Sequence, residues 1–150
     1  MKFETYKALI ENLDDEIALL ANTSAYLNSL LEDINWIGFY RLISQELVLG
    51  PFQGEVACVK IELSKGVCGH VASTQEAIIV DDVHQFPGHI ACDHRSNSEM
   101  VLPIFIDDQL YGVLDIDSPS FARFTATDLK EMETIVKLLE AQLKQIKNAN

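Results

Sequence analysis

Cys92 is one of three cysteines in the sequence and a candidate nucleophile. It lies in the stretch Asp81–Ser98, which shows neither the strand nor the helix period and where side chains are often exposed to ligand. The residues near it in sequence that can carry a positive charge are His84, His89, His94 and Arg95. Such neighbours lower the pKa of a thiol and favour the reactive thiolate. The alternative is a packed side chain, since free cysteine is among the most buried residue types.

Cys58 and Cys68 have different settings. Cys58 lies in the apolar run Val56–Val59, which is typical of packing. Cys68 lies between two glycines at a predicted helix start, where the partial positive charge of the helix N-terminus favours a thiolate. Any two of the three cysteines could form a disulfide if the loop brings Cys92 to within about 6 Å between Cα atoms. The sequence leaves the pairing open.

A metal site is an alternative role for the cysteines and histidines. The motifs Cys68-x-His70 and His89-x-x-Cys92-x-His94 together offer five possible ligands. Structural zinc sites usually show two matching short pairs such as Cys-x-x-Cys, and this sequence has no such pairs. We therefore predict no metal site.

A group of acidic residues is the second chemical feature. Asp115 and Asp117 alternate with Leu114 and Ile116 on a predicted strand, which places both carboxylates on one face, about 7 Å apart at Cα, together with Tyr111 and Val113. Glu99 opens the preceding strand and joins them if the two strands pair around Asp107-Asp108. Clustered acids repel one another, so at least one pKa is raised and one carboxyl could donate a proton near neutral pH. The alternative is a solvated strand end.

The apolar spacing predicts the elements that carry these residues. Glu4–Leu31 has helical spacing, and Asn22–Ser24 looks like a break at which Ser24 caps a second helix. Asn35–Leu42 and Glu46–Phe52 alternate as a hairpin joined at Ile43–Gln45. Trp36 and Tyr40 share one face of that hairpin, either as a pocket wall or as core.

The remaining predicted elements are an extended segment Val56–Leu63, a short helix Gly66–Ser73, a strand Ala77–Val80, the long loop Asp81–Ser98, paired strands Glu99–Ile106 and Gln109–Asp117, and a final helix capped by Thr125 or Thr127. Helices at both ends around an antiparallel sheet indicate an α+β domain. We predict one domain over residues 1–150.

Charge and composition exclude several classes of partner and location. The chain has 11 basic and 23 acidic residues, a net charge of −12, and no run of basic residues. This disfavours nucleic acid and anionic membranes as partners. The sequence shows neither a long apolar span nor a signal peptide, so we expect a cytoplasmic protein. An odd cysteine count argues against a secreted disulfide scaffold.

Six ordered motifs between about residue 35 and residue 125 carry a family resemblance. They are Asn-Trp-Ile-Gly-Phe-Tyr at 35–40, Gly-Pro-Phe-Gln-Gly at 50–54, Gly-Val-Cys-Gly at 66–69, Asp-Val-His-x-Phe-Pro-Gly-His-Ile-Ala-Cys-Asp at 82–93, Ser-Asn-Ser-Glu at 96–99 and Gly-Val-Leu-Asp-Ile-Asp-Ser-Pro at 112–119. The sequence thereby resembles the free methionine-R-sulfoxide reductases, which are stand-alone GAF-domain enzymes. The resemblance implies a GAF fold: a central antiparallel sheet of about six strands, terminal helices on one face and a long loop over a small-molecule pocket. It also implies a homodimer.

The resemblance also implies roles for individual residues. Cys92 matches the catalytic cysteine, and Cys58 and Cys68 match the two other family cysteines, one of which resolves the intermediate. The positions matching the family's substrate pocket are Trp36, Tyr40, Glu99, Asp115 and Asp117. The departures from the family pattern are His70 and the pair His94-Arg95.

The activity implied is reduction of free L-methionine-(R)-S-oxide to methionine. The Cys92 thiolate would become a sulfenic acid and then part of a disulfide. Thioredoxin, kept reduced by electrons from NADPH, would reduce that disulfide, and no bound cofactor would be needed. Such an enzyme repairs oxidised free methionine under oxidative stress. Two alternatives belong to other functional classes: a non-catalytic GAF module that senses a small molecule, and a thiol redox sensor.

Overall fold

A computed structural model describes residues 3–89, 92 and 94–149. Ile90, Ala91 and Asp93, which belong to the motif at 82–93, lie outside the described residues. The helices are α1 (Phe3–Ile10), α2 (Glu16–Leu30), α3 (Gly66–Thr74) and α4 (Ala126–Ala149), and a 3-10 turn lies at Val83–Gln85. The strands are β1 (Trp36–Ile43), β2 (Glu46–Gln53), β3 (Lys60–Glu62), β4 (Ile78–Val80), β5 (Ser98–Ile106) and β6 (Gln109–Ser118).

The six strands form one antiparallel sheet in the order β3-β2-β1-β6-β5-β4. Ser44 and Gln45 both have positive φ at the β1–β2 turn, as do Asp107 and Asp108 at the β5–β6 turn. Positive φ at both central residues matches the right-handed twist of paired strands. The predicted α+β class and both predicted hairpins are confirmed.

The two faces of the sheet form two separate cores. Side chains such as Ile37, Phe39 and Leu114 pack against α1, α2 and α4 on one face. Trp36 and Tyr40 lie on the other face, which is covered by α3. The alternation of the strands produces this division, because successive side chains point to opposite faces. The predicted packing of the terminal helices on one face is confirmed.

The predicted break between the N-terminal helices at Asn22–Ser24 is wrong. The helices separate between Ile10 and Glu16, where the Asp15 carboxylate caps α2 by accepting a hydrogen bond from the backbone N–H of Ala18. Thr23 and Ser24 lie inside α2 and are buried. Their hydroxyls are satisfied there, Thr23 by the hydroxyl of Tyr6 at 2.8 Å and Ser24 by the carbonyl of Leu20 at 2.8 Å. Polar residues with such partners need not end a helix.

The predicted extended segment Val56–Leu63 forms a strand only at Lys60–Glu62. The chain turns away from β2 at Gly54, which has a φ of +141°, and the carbonyl of Glu55 accepts a hydrogen bond from Trp36 Nε1 at 3.1 Å. Residues 54–59 therefore form a loop between β2 and β3. This loop carries Cys58 towards the face that holds Trp36.

The predicted placement of Tyr111 on the face of Asp115 and Asp117 is also wrong. The β5–β6 pairing shifts register at this point, since Ile104 pairs with Gly112 and Phe105 pairs with Leu110. The irregularity turns Tyr111 to the helical face, where its hydroxyl donates a hydrogen bond to Glu16 of α2.

Thr125 is the residue that caps α4. Its hydroxyl accepts a hydrogen bond from the backbone N–H of Asp128 at 3.1 Å, and the Asp128 carboxylate accepts one from the backbone N–H of Thr125 at 2.8 Å. Among the described residues, no helix combines the length and the apolar character that a membrane crossing requires.

Candidate active site

Two paired strands bring the three predicted acidic residues together. Glu99 of β5 pairs directly with Asp117 of β6, and Asp115 lies two residues before Asp117 on the same face. All three side chains are buried. The alternative of a solvated strand end is therefore wrong. The predicted cluster of three carboxyls is confirmed.

Burial and mutual repulsion change the acidity of this cluster. Burial, followed by the charges of Asp117 and Glu99, raises the pKa of Asp115 well above its ordinary value. Burial and the charge of Glu99 raise the pKa of Asp117 in the same direction. Asp115 Oδ1 and Asp117 Oδ1 are buried and have no hydrogen-bond partner among the described residues. The cluster can therefore hold a proton near neutral pH and can accept a cation.

Cys68 faces this cluster from α3. Its Sγ lies 3.9 Å from Glu99 Oε2, and it is a free, buried thiol. Burial, followed by the charges of Asp115 and Glu99, raises the pKa of Cys68 well above that of an ordinary thiol. The prediction that the helix N-terminus favours a Cys68 thiolate is therefore wrong. The loss of solvent and the adjacent carboxylates outweigh the partial positive charge of the helix end.

Cys58 and Cys92 form a disulfide, with their Cα atoms 5.4 Å apart. Both residues are partly exposed. The loop bearing Cys58 is attached to the sheet through the hydroxyl of Tyr40, which donates a hydrogen bond to the Cys58 carbonyl at 2.9 Å. The pairing that the sequence left open is Cys58 with Cys92, and Cys68 remains outside it.

Trp36 and Tyr40 form an aromatic wall beside the acids. Their ring centroids are 6.0 Å apart, and the ring of Phe52 also stacks on Trp36, with centroids 5.2 Å apart. Burial, with the charge of Asp115 next, raises the pKa of the Tyr40 hydroxyl. The Tyr40 hydroxyl thus stays protonated and remains a hydrogen-bond donor. Trp36 and Tyr40 therefore line the site as well as belonging to the core of that face.

The acids, the aromatic wall and the two thiol positions enclose a cavity of about 40 Å³. The predicted site residues that line it are Trp36, Tyr40, Cys68, Cys92, Glu99, Asp115 and Asp117. Cys58 reaches it through the disulfide with Cys92. The cavity is also lined by Lys65, His89 and Ser96, which were not predicted as site residues. His89 was named only as a neighbour of Cys92 in the sequence. Ser96 belongs to the motif at 96–99. Its hydroxyl forms a hydrogen bond with Asp117 that lowers the pKa of the Asp117 carboxyl, and this contact between distant parts of the chain could not be read from the sequence.

Comparison with known proteins assigns the family. A model of the GAF domain matches residues 15–141. The free methionine-R-sulfoxide reductase of Escherichia coli (strain K12) is 50% identical over 138 residues, which cover 92% of this chain and 84% of that protein. The chain belongs to the free methionine-R-sulfoxide reductase family. The predicted family and enzyme class are thereby confirmed.

Solved structures of this family share the fold over nearly the whole chain. The fRMsr of Staphylococcus aureus in complex with substrate is 53% identical, with a TM-score of 0.89, covering 93% of this chain and 92% of that one. The free methionine-R-sulfoxide reductase from Neisseria meningitidis in complex with its substrate is 38% identical, with a TM-score of 0.94, covering 98% and 89%. The predicted GAF fold is confirmed.

The histidines that depart from the family pattern lie away from the reductase cavity. His70 packs edge-on against Phe86, with ring centroids 5.4 Å apart, and His94 is exposed. His84 lies beside Asn97, with Nε2 2.9 Å from Oδ1. Of the four cationic neighbours predicted for Cys92, His89 is the one that lines the cavity in the described part of the chain.

Proposed function

We propose that this chain reduces free L-methionine-(R)-S-oxide to methionine, with Cys92 as nucleophile and Cys58 as the resolving cysteine. The observation that carries the proposal is the Cys58–Cys92 disulfide beside a cavity lined by three buried carboxyls. Family membership supports the reaction, and the disulfide supports the division of roles between the cysteines. Cys68 is not the resolving residue in this proposal, because it is buried against Glu99 and lies outside the disulfide.

The first step needs both a thiolate and a proton donor. In the reduced protein the Cys92 thiolate attacks the sulfoxide sulfur, and the oxygen accepts a proton from the carboxyl cluster because it is otherwise a poor leaving group. The raised pKa values of Asp115 and Asp117 suit them to hold that proton. The oxygen is transferred to Cys92, which becomes a sulfenic acid, and methionine leaves.

The second step forms the disulfide. The Cys58 thiol attacks the sulfenic sulfur of Cys92, and the hydroxyl leaves as water. An external dithiol then restores both thiols by exchange and is itself oxidised. We assign this reduction of the disulfide to thioredoxin, which receives its electrons from NADPH, and we propose no bound cofactor.

Specificity for the free amino acid follows from the same cavity. The ammonium of free methionine sulfoxide supplies the cation that the unpartnered oxygens of Asp115 and Asp117 lack. A peptide-bound methionine has no such ammonium and leaves those oxygens unsatisfied. Lys65 lines the cavity, and we propose that its ammonium pairs with the substrate carboxylate.

The test follows NADPH loss in a mixture of thioredoxin, thioredoxin reductase and freshly reduced protein. We expect consumption with the free R epimer but not with the S epimer or a peptide-bound form. Cys92→Ser should lose all activity. Cys58→Ser should release about one methionine per chain and then stop, because the sulfenic acid cannot be resolved. Absence of turnover with the R epimer would favour a sensing GAF module or a redox sensor instead.

We propose a cytoplasmic homodimer, as the family resemblance implies. Sedimentation of the reduced and oxidised chain measures the oligomeric state directly, and a monomer in both states would contradict this part alone.

A further inference from the structure

Cys68 has no step in the proposed reaction, yet it faces two buried carboxyls. One donor atom from each of Cys68, Glu99 and Asp115 lies within 4.8 Å of the other two. Cys68 remains a free thiol while Cys58 and Cys92 are joined. One sulfur and two carboxylate oxygens form a donor set that borderline-soft divalent cations accept, whereas hard cations prefer oxygen alone.

The spacing of these donors suits a tetrahedral ion. Zinc bonds of about 2.3 Å to sulfur and about 2.0 Å to oxygen place the two donors about 3.5 Å apart. Cys68 Sγ and Glu99 Oε2 are 3.9 Å apart, so a small rotation of the Glu99 side chain closes the difference. The cavity of about 40 Å³ has room for about three water-sized groups, enough for an ion that keeps one water as its fourth ligand.

A second observation also indicates a missing cation. Asp115 and Asp117 are only 5% and 8% exposed, and one oxygen of each has no hydrogen-bond partner among the described residues. Both side chains line the cavity. Buried carboxylate oxygens without partners are costly, and a cation in the cavity removes that cost.

We propose that Cys68, Glu99 and Asp115 form a binding site for a thiophilic divalent cation of the Zn²⁺ class, and that the bound ion excludes the substrate. On coordination the Cys68 thiol proton passes to solvent, and no group is oxidised or reduced. Binding of the ion stands on the geometry alone. Its inhibitory effect rests on the proposed function, in which Glu99 and Asp115 belong to the substrate cavity.

The test uses Co²⁺ as a spectroscopic probe on the oxidised full-length chain, in which Cys68 is the free thiol. Cobalt bound to a thiolate absorbs in the near ultraviolet, and tetrahedral cobalt absorbs in the visible range. We expect both bands to saturate at one Co²⁺ per chain and to disappear when Zn²⁺ is added. Absence of the thiolate band would overturn the proposal.

Variants identify the ligands. Cys68→Ser should abolish the thiolate band, and Glu99→Gln should weaken cobalt binding by about tenfold or more. Glu76→Gln, at an exposed acid just after α3, is the matched control and should bind as the parent does. Near-ultraviolet circular dichroism of each variant shows that the fold is retained. An unchanged thiolate band in Cys68→Ser would place the metal elsewhere and overturn the proposal.

Competition is measured without turnover. In the Cys58→Ser/Cys92→Ser chain, Cys68 is the single thiol, and free methionine should raise the apparent Kd of Co²⁺ in proportion to its concentration. A Kd that is independent of methionine would overturn the exclusion of substrate. The NADPH assay tests the proposed reaction separately, because failure of turnover leaves the cobalt spectra unaffected.

Discussion

Replacing Gly54 with alanine should displace the indole of Trp36 and destabilise the fold. Gly54 has a φ of +141°, which L residues rarely adopt, and holding alanine there costs about 1–3 kcal/mol. A Cβ at this position would lie 2.5 Å from Trp36 Cδ1 and 2.9 Å from the Asn35 carbonyl oxygen. Relieving such contacts costs about 1–3 kcal/mol more. We therefore expect the free energy of unfolding to fall by about 2–6 kcal/mol.

Gly88 offers a matched control for this substitution. Its φ of +75° is also positive, but a Cβ there would meet no atom within 4 Å. Gly88→Ala should therefore show backbone strain alone, about 1–2 kcal/mol. The difference between the two variants therefore combines the contacts of Gly54 with Trp36 and Asn35 and any extra strain from the larger φ at Gly54.

Urea unfolding measures both losses of stability. Trp36 is the single tryptophan, so its fluorescence reports the displacement directly. In the NADPH assay we expect the KM for methionine sulfoxide to rise about tenfold in Gly54→Ala, because the ring is a wall of the cavity. The reasoning fails if Gly54→Ala costs no more than Gly88→Ala and leaves the fluorescence unchanged.

Three further predictions concern the acids, a helix cap and the disulfide loop. Asp117 has a raised pKa in the folded state, so the folded protein binds more protons than the unfolded chain, and stability declines as pH rises from the ordinary carboxyl range towards that raised pKa. Asp117→Asn should make the free energy of unfolding, measured by urea at a series of pH values, fall less steeply as pH rises, and it should also lower activity. An unchanged dependence of stability on pH would contradict this prediction. Thr125→Ala removes the cap of α4 and should lower the free energy of unfolding by about 1 kcal/mol in the same assay. Thr127→Ala, at a threonine that does not cap the helix, is the control. Tyr40→Phe leaves the Cys58 carbonyl without its donor and should slow disulfide formation after a single turnover, followed by thiol labelling, whereas an unchanged rate would show that the loop needs no such attachment.

Much of the fold could be predicted because the burial pattern repeats along each element. The alternation in β1 correctly divided Trp36 and Tyr40 from Ile37 and Phe39. The Asp107-Asp108 turn correctly joined β5 to β6 as a hairpin. These features are local, so the sequence contains the information needed to predict them.

Other features depended on contacts between distant parts of the chain. The register shift that turns Tyr111 to the helices is accompanied by a hydrogen bond to Glu16, 95 residues away. Thr23 could remain inside α2 because Tyr6 of another helix satisfies its hydroxyl. A prediction made within one segment cannot include such partners.

The sequence by itself determined the strands that carry the acids, the three thiols and, through its ordered motifs, the family. Only the tertiary structure decided what each thiol is. It joined Cys58 to Cys92 in a disulfide, and it buried Cys68 against Glu99. The physical reason is that the pKa and the bonding of a thiol depend on the solvent and charges within a few ångströms, and here those charges come from strands distant in sequence.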